Sequence, residues 1–186
     1  MSEDEQKLCN EFFCQAFHNE RLVSLITNSS KGKGYFYWAF VCLYYAAIHY
    51  FNAFLIYKNI DPPNKHEDYT KDGVKHLGRL SLAKNELRTW KNDIGHVAGG
   101  DMRYLYNLSR KARYEPSQAI LLNMAQLEVA KRKLDGIKYI VFNEVGFEPK
   151  PDGNMKAKVV AINLLSLKQR HENWKKTLPN VSIKKM

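Results

Sequence analysis

The chain has 186 residues, of which 45% are hydrophobic, and a formal net charge of +10. This length and apolar content predict one domain with a buried core and a modest extension, and they exclude a chain that is disordered throughout. No cationic segment precedes a short apolar run near residue 1, so a secretory signal peptide is not expected. Cys9, Cys14 and Cys42 form no Cys-x-x-Cys pair, which favours reduced thiols in a cytoplasmic protein.

The positive charge is concentrated at one end of the chain. Of the 29 Lys and Arg residues and 19 Asp and Glu residues, nine and two lie in residues 150–186, which leaves twenty and seventeen in residues 1–149. The segment after residue 149 therefore carries +7 and the rest of the chain +3. A basic segment of this kind binds phosphates or an acidic protein surface, or it is simply a solvated helix face.

The first predicted helix starts at a capping box, Ser2 followed by Glu5, and runs to about Thr27. Its apolar residues recur at helical spacing and are Leu8, Phe12, Phe13, Ala16 and Phe17. Residues 28–34 are rich in Gly, Ser and Asn and predict a turn. A phosphate-binding loop is the alternative, but the glycines lack P-loop spacing and no Lys-Ser or Lys-Thr follows.

The second predicted helix covers Tyr35 to Tyr57 and contains no Asp, Glu, Lys or Arg. It is long enough to cross a bilayer, but its tyrosines, His49 and Asn52 favour a helix buried in a protein core. Apolar residues occur on both sides of the helical wheel, so other helices or a second subunit must cover it. Tyr45, His49 and Asn52 share one side, where they form either a buried hydrogen-bonded ladder or a ligand contact.

The rest of the chain predicts short or irregular helices up to Arg110 and one long helix after Pro116. Asp61-Pro62-Pro63 is expected to end the second helix, Asp72 to His96 to be irregularly helical, and Gly99-Gly100 to break the chain before a short helix from Asp101 to Arg110. Pro116 opens a last long helix that ends at Gly146. Its predicted apolar stripe is Ile120, Met124, Leu127, Leu134, Ile137 and Val141.

The predicted fold is all-α, an up-and-down bundle of four or five helices in residues 1–146. Residues 147–186 are predicted to be a linker and a basic C-terminal extension, with an amphipathic helix from Lys156 to Leu178. Motifs of most enzyme classes are missing from the sequence: there is no Gly-x-Ser-x-Gly, no pair of carboxylates typical of glycosidases and no metal-ligand spacing. No metal and no cofactor are therefore predicted.

The order of the motifs resembles the HEPN superfamily, the nucleotide-binding domain of higher eukaryotes and prokaryotes. The resemblance lies in the Tyr44-Tyr45-Ala46-Ala47-Ile48-His49 helix, the proline-containing turn that leads to His66, and residues 105–116 before a long last helix. It implies a helical bundle that forms a homodimer and binds RNA or a nucleotide. Family members include metal-independent endoribonucleases of toxin–antitoxin and defence systems and non-catalytic partners of nucleotidyltransferases.

Nuclease members of the family carry an Arg followed four to six residues later by His, a pair that can move the 2′-hydroxyl proton and stabilise the phosphate transition state. This chain lacks that pair, because Arg88 precedes His96 by too many residues. Residues 105–114 are more similar to a branch with a Leu-Arg-x-x-Ala-Asp-Tyr motif. The chain departs from that motif too, with Ser109 at the Arg position and Arg113 at the Asp position.

The predicted binding residues are therefore basic and aromatic ones near the second motif. Arg110, Lys111 and Arg113 could hold phosphate while Tyr106 and Tyr114 stack a base, and His66 faces the groove or buttresses its turn. Cations complementing the end of a helix are the structural alternative. Three functions remain open: an RNA- or nucleotide-binding module, a dimeric interaction protein with a nucleotidyltransferase or other acidic partner, and an endoribonuclease with a diverged site.

Overall fold

The computed structural model describes residues 2–28, 35–88 and 93–145, without the side chains of residues 93–97 and 116. Residues 29–34 of the turn predicted over 28–34 lie outside the described residues, and so do the predicted linker and basic extension at 147–186; Asn28 is the last residue of the first helix. The elements, in chain order, are α1 (Glu3–Asn28), α2 (Trp38–Tyr57), β1 (Tyr69–Lys71), β2 (Val74–His76), α3 (Arg79–Glu86), α4 (Asp93–Tyr114), α5 (Pro116–Ala119) and α6 (Met124–Val145). The predicted all-α bundle is confirmed, with four long helices and one small hairpin.

Helix α1 begins at the predicted capping box. The backbone N–H of Ser2 donates to the Glu5 carboxylate over 2.6 Å, and the backbone N–H of Glu5 donates to the Ser2 hydroxyl over 3.3 Å. These bonds satisfy amide groups that have no partner within the helix. Phe13, Ala16 and Phe17 of the predicted apolar face are buried, whereas Leu8 is 39% exposed.

Helix α2 is the centre of the bundle. It contacts α1, α4 and α6 and buries fifteen of its twenty residues. Among the described residues it is the one helix long and apolar enough to cross a membrane, and 78% of its most apolar window is buried inside the bundle. Three helices of the same chain therefore cover α2, which explains how it can be apolar on both sides without a second subunit.

Helix α2 ends at Tyr57, before the prolines that were expected to terminate it. Asn59 adopts a left-handed conformation with φ 55°. The backbone N–H of Ile60 donates to the Leu55 carbonyl and that of Asn59 to the Ile56 carbonyl. This is the Schellman pattern, in which the reversal of the chain satisfies the last carbonyl groups of a helix.

An antiparallel hairpin replaces part of the helical segment predicted between residues 72 and 96. Strands β1 and β2 pair Tyr69 with His76, and their rings stack 5.1 Å apart. Asp72 and Gly73 form the turn with φ values of 51° and 76°. An Asp-Gly pair with two left-handed residues is a preferred two-residue hairpin turn, so these two residues favour a hairpin over a helix.

Helix α4 runs through Gly99 and Gly100, so the predicted chain break at these residues is wrong. A side chain at Gly99 would place its Cβ 2.8 Å from the Cα of Lys84, whereas one at Gly100 would meet nothing within 4 Å. Gly99 therefore lets α3 and α4 approach closely. Asp101 does not cap a helix here, because it is buried in α4 and binds Lys133 of α6 at 2.5 Å.

The last segment forms two helices instead of one. Asn123 caps α6: its side chain accepts a hydrogen bond from the Gln126 backbone, and the Gln126 side chain accepts one from the Asn123 backbone, both at 3.0 Å. This reciprocal cap starts α6 at Met124. Four residues of the predicted stripe, Leu127, Leu134, Ile137 and Val141, are buried, but Ile120 is 84% and Met124 53% exposed because they precede or begin α6.

A buried ion pair joins α1 and α6 across the bundle. Lys138 is 2% exposed, and its ammonium group lies 2.7 Å from the Glu20 carboxylate. The other oxygen of Glu20 accepts a hydrogen bond from the Tyr50 hydroxyl of α2. The Lys138 ammonium also lies 5.3 Å from the centre of the Tyr50 ring. A buried lysine is compatible with the fold because these groups replace water around its charge.

Candidate functional site

The predicted residue His66 lies at the base of the hairpin, beside α2, α3 and α4. Two backbone hydrogen bonds close this base: Arg79 N–H donates to the Lys65 carbonyl, and Leu80 N–H donates to the His66 carbonyl. The Gly78 backbone also donates to the Asp68 side chain over 2.9 Å. His66 and the start of α3 are therefore neighbours although the hairpin separates them along the chain.

One nitrogen of the His66 ring has two close neighbours. Its Nδ1 lies 2.8 Å from the Tyr44 hydroxyl and 3.1 Å from Nη1 of Arg79. A guanidinium group can only donate, so Nδ1 accepts, and a neutral His66 carries its hydrogen on Nε2. Burial lowers the pKa of His66, and the charges of Arg79 and Arg113 lower it further, against an opposing effect of Glu67.

Arg79 is a buried cation with neutral partners. It is 9% exposed and donates to the His66 ring and, over 2.5 Å, to the Pro63 carbonyl. Its Nε is buried and has no hydrogen-bond partner. Within the described part of the chain, no carboxylate forms an ion pair with Arg79. The neighbouring Glu67 pairs instead with Arg103, 3.0 Å away.

The rings of Tyr44, His66 and Tyr106 are mutual neighbours. The predicted residue Tyr106 lies 5.4 Å from Tyr44 and 5.6 Å from His66, measured between ring centres, and Tyr44 lies 5.5 Å from His66. Tyr44 is fully buried, whereas Tyr106 and His66 are partly exposed. Burial raises the pKa of Tyr44, although the nearby Arg79 opposes the shift, so the hydroxyl stays protonated and can donate to His66.

Arg113 connects this group to the end of α4. Its Nη1 donates to the Tyr45 hydroxyl over 3.1 Å, and its Nε donates to the Ser109 carbonyl over 3.4 Å. The guanidinium carbon lies 5.6 Å from the Tyr45 ring centre and 5.0 Å from that of Tyr114. Arg113 is partly exposed, and its partners among the described residues are again neutral. We refer to Tyr44, Tyr45, His66, Arg79, Tyr106 and Arg113 as the polar cluster.

The other predicted binding residues lie at the C-terminal end of α4. Arg110 is exposed and has one long ion pair, 3.9 Å, with Glu115. Lys111 is partly exposed, and Tyr114 is 67% exposed. Arg110, Arg113 and Tyr114 lie on one side of the helix because residues three and four positions apart are neighbours. We refer to Arg110, Lys111, Arg113 and Tyr114 as the cationic surface.

The predicted ladder of Tyr45, His49 and Asn52 is not formed as expected. Tyr45 accepts from Arg113 instead, while His49 Nδ1 and Asn52 Oδ1 are buried without a hydrogen-bond partner. Burial lowers the pKa of His49 to about 4, and Arg79 adds to the effect. The reason is that α4 and α3 bring arginines to this side of α2, which spacing along α2 alone does not reveal.

The polar cluster therefore contains two arginines whose described partners are all neutral. Unpaired buried charges are costly and are found at sites that bind a charged ligand more often than in ordinary cores. Among the described residues, no group of three or more His, Cys, Asp or Glu side chains is placed to hold a metal ion. The arrangement favours the binding of an anion.

Sequence reasoning missed Arg79 and Tyr44 as members of the site. Arg79 follows Gly78 in a segment whose helical pattern is weak, so its position in the fold was not evident. Tyr44 lies in the long apolar run of the second predicted helix, where it could not be distinguished from a core residue. The Asp72-Gly73 turn was the available signal, because a hairpin at that place brings residues 66 and 79 together.

Searches against protein families, curated proteins and solved structures found no match to this chain. The HEPN resemblance thus remains a prediction from residues 42–69 and 105–116.

Proposed function

We propose that this chain is an RNA-binding module of the HEPN type and that it binds RNA through the cationic surface at the end of α4. The observation that carries the proposal is the position of Arg113, whose guanidinium carbon lies 5.6 Å from the ring centre of Tyr45 and 5.0 Å from that of Tyr114. A cation beside an exposed aromatic ring is what a single-stranded nucleic acid requires, since the cation holds a phosphate and the ring stacks a base.

Exposure supports the same proposal. Tyr114 is 67% exposed, so much of its side chain is accessible to a ligand, and the ion pair of Arg110 with Glu115 is long at 3.9 Å. The cations at a helix end also have a structural role, because they complement the helix dipole. That role does not require an exposed aromatic residue among them, which favours ligand binding.

Binding rather than cleavage is the proposed activity. The Arg and His spacing of nuclease members is absent, and Nδ1 of His66 accepts hydrogen bonds from two groups, so it is not free to take a proton from a 2′-hydroxyl. A cytoplasmic homodimer in a prokaryotic stress or defence system is the context that the resemblance implies. These parts of the proposal rest on the resemblance.

The test is fluorescence anisotropy with a labelled single-stranded RNA over a range of salt concentrations. Each phosphate contact contributes about 0.7 to the slope of log K against log salt for single strands, so losing two contacts should flatten the slope by about 1.4. The Arg110→Ala, Arg113→Ala double variant should then bind roughly 25-fold more weakly at about 0.1 M salt.

A matched control removes two positive charges elsewhere. Lys7 and Arg21 are exposed on α1, and replacing both with Ala lowers the net charge by the same amount. This control should keep the slope of the unaltered protein. Equal weakening in both double variants would mean that only net charge matters and would contradict binding at the cationic surface. Tyr114→Ala should weaken binding without changing the slope, because stacking releases no counterions.

A further inference from the structure

The polar cluster holds more positive charge than its surroundings neutralise. Arg79 is buried against a ring nitrogen and a carbonyl, and Arg113 binds a hydroxyl and a carbonyl. Both arginines lie close enough to His66 and Tyr44 to shift the pKa of each. The Arg79 Nε and the Ser109 hydroxyl, fully buried one turn before Arg113, have no hydrogen-bond partner.

The hydrogen bond from Arg79 determines which nitrogen of the His66 ring carries the hydrogen. Because Arg79 donates to Nδ1, the neutral ring presents a hydrogen-bond donor at Nε2 and cannot present an acceptor there. His66 and Arg113 are partly exposed, whereas Arg79 and Tyr44 are buried. Arg113 and Nε2 of His66 therefore offer donors only, the hydroxyls of the partly exposed Tyr45 and Tyr106 can donate as well, and the buried Arg79 adds a positive charge.

We propose that Arg113, His66 and Arg79 form a phosphate subsite next to the cationic surface. Arg113 contacts the phosphate, His66 donates to it from Nε2, and Arg79 is a positioning residue that holds His66 in this tautomer. The phosphate is one of the RNA backbone, so this inference rests on the proposed function and extends it from the exposed end of α4 to the base of the hairpin.

Charge and chemistry select phosphate as the ligand. A backbone phosphate offers two charged oxygens, which can accept from a guanidinium and from an imidazole N–H at the same time. A cationic ligand would meet two arginines, and a neutral one would leave their charges unpaired. The partly exposed ring of Tyr106, 5.6 Å from His66, adds an aromatic wall to the subsite.

The first test measures inorganic phosphate binding to the full chain. Thermal unfolding is followed in sodium phosphate and in sodium chloride of the same ionic strength, since a ligand that binds only the folded state stabilises it by RT ln(1 + c/Kd) at free ligand concentration c, and so raises Tm as its concentration increases. Phosphate should raise Tm beyond chloride. Arg113→Met and His66→Phe should each weaken phosphate binding about tenfold or more, as expected for the loss of a hydrogen bond to a charged group.

Arg103→Met is the matched control. Arg103 is paired with Glu67, the residue that follows His66, so its charge is already neutralised and its loss should change phosphate binding less than about twofold. No phosphate-specific rise in Tm, or equal weakening by Arg103→Met, overturns the subsite. If phosphate does not bind but the Arg110, Arg113 double variant still loses RNA, the proposed function stands and this inference fails.

The second test concerns Arg79. Nitrogen-15 correlation spectra of the imidazole rings, with His66 assigned by comparison with His66→Phe, should show an Nε2–H tautomer near neutral pH. Arg79→Lys keeps the charge but loses the planar donor group, so the Nδ1–H form should become populated and phosphate should bind more weakly. An Nδ1–H tautomer in the unaltered protein would contradict the positioning role.

Discussion

Two adjacent glycines in α4 should respond in opposite ways to the same substitution. Alanine is favoured over glycine in a helix interior by roughly 0.5–1 kcal/mol, and this gain applies equally at both positions. The added Cβ of Gly100→Ala has no atom within 4 Å, so this variant should be more stable than the unaltered protein by about 0.5–1 kcal/mol. Gly99→Ala places a methyl carbon 2.8 Å from the Cα of Lys84.

The clash at Gly99 determines how much the two variants should differ in their free energy of unfolding. Nonbonded carbon atoms normally lie about 3.5–4.0 Å apart, so α3 must move by roughly 1 Å. The neighbour is a backbone atom, which cannot move away by changing a rotamer. Overpacking of this kind costs about 1–3 kcal/mol. Because the helix-propensity gain is common to both variants, Gly99→Ala should be less stable than Gly100→Ala by about 1–3 kcal/mol.

Urea unfolding followed by far-ultraviolet circular dichroism measures both variants against the unaltered protein. Equal slopes of the unfolding transition would confirm that the comparison concerns stability and not a change in the unfolded state. The reasoning is refuted if Gly99→Ala is as stable as Gly100→Ala, because α3 and α4 would then not be in close contact. A loss of helicity in Gly100→Ala would argue against a continuous α4.

Three further outcomes follow from buried and capping groups. Glu20→Ala should lower the free energy of unfolding by about 3–5 kcal/mol because Lys138 is left charged and unpaired, whereas the Glu20→Leu, Lys138→Met double variant should recover most of this loss in the same urea assay. His49 has a folded-state pKa of about 4 against an ordinary 6.5. The unfolded chain therefore binds more protons than the folded one between these values, so stability decreases as the pH is lowered through this range. From pH 7 to pH 5 His49→Met should lose about 2 kcal/mol less stability than the unaltered protein, and equal losses would contradict the assignment. Asn123→Ala should cost about 0.5–2 kcal/mol through loss of the α6 cap; a Gln126→Ala variant of unchanged stability would show that the reciprocal bond contributes nothing.

The sequence predicted the long helices well because their signals are local. The Ser2 and Glu5 capping box and the apolar stripe of α6 depend on residues one to four positions apart. The continuity of α4 could not be predicted in this way. Gly99 occurs there because α3 packs against it, and that contact depends on residues distant in the sequence.

Only part of the candidate site could be predicted, because local motifs mark some of its residues and distant contacts define the others. His66, Tyr106 and Arg113 were chosen from motifs, and the structure brings them together around Tyr44. The Asp72-Gly73 turn could have placed Arg79 beside His66, but the importance of Arg79 arises from what surrounds it: a ring nitrogen, a carbonyl and no described carboxylate. Tertiary contacts of this kind leave no pattern in the sequence near the residue itself.

The hairpin is closed at its base by backbone hydrogen bonds. The segment formed by β1 and β2, which connects His66 to Arg79 along the chain, therefore lies outside the site. Backbone bonds from Arg79 and Leu80 fix the two ends of the segment, and Gly78 lies so close to Glu67 that a Cβ there would be 2.2 Å from its carbonyl carbon. The strands beyond the base are largely exposed. Residues 69–76 can therefore be shortened, extended or replaced by an inserted tag or fluorophore-labelling sequence while His66 and Arg79 keep their positions.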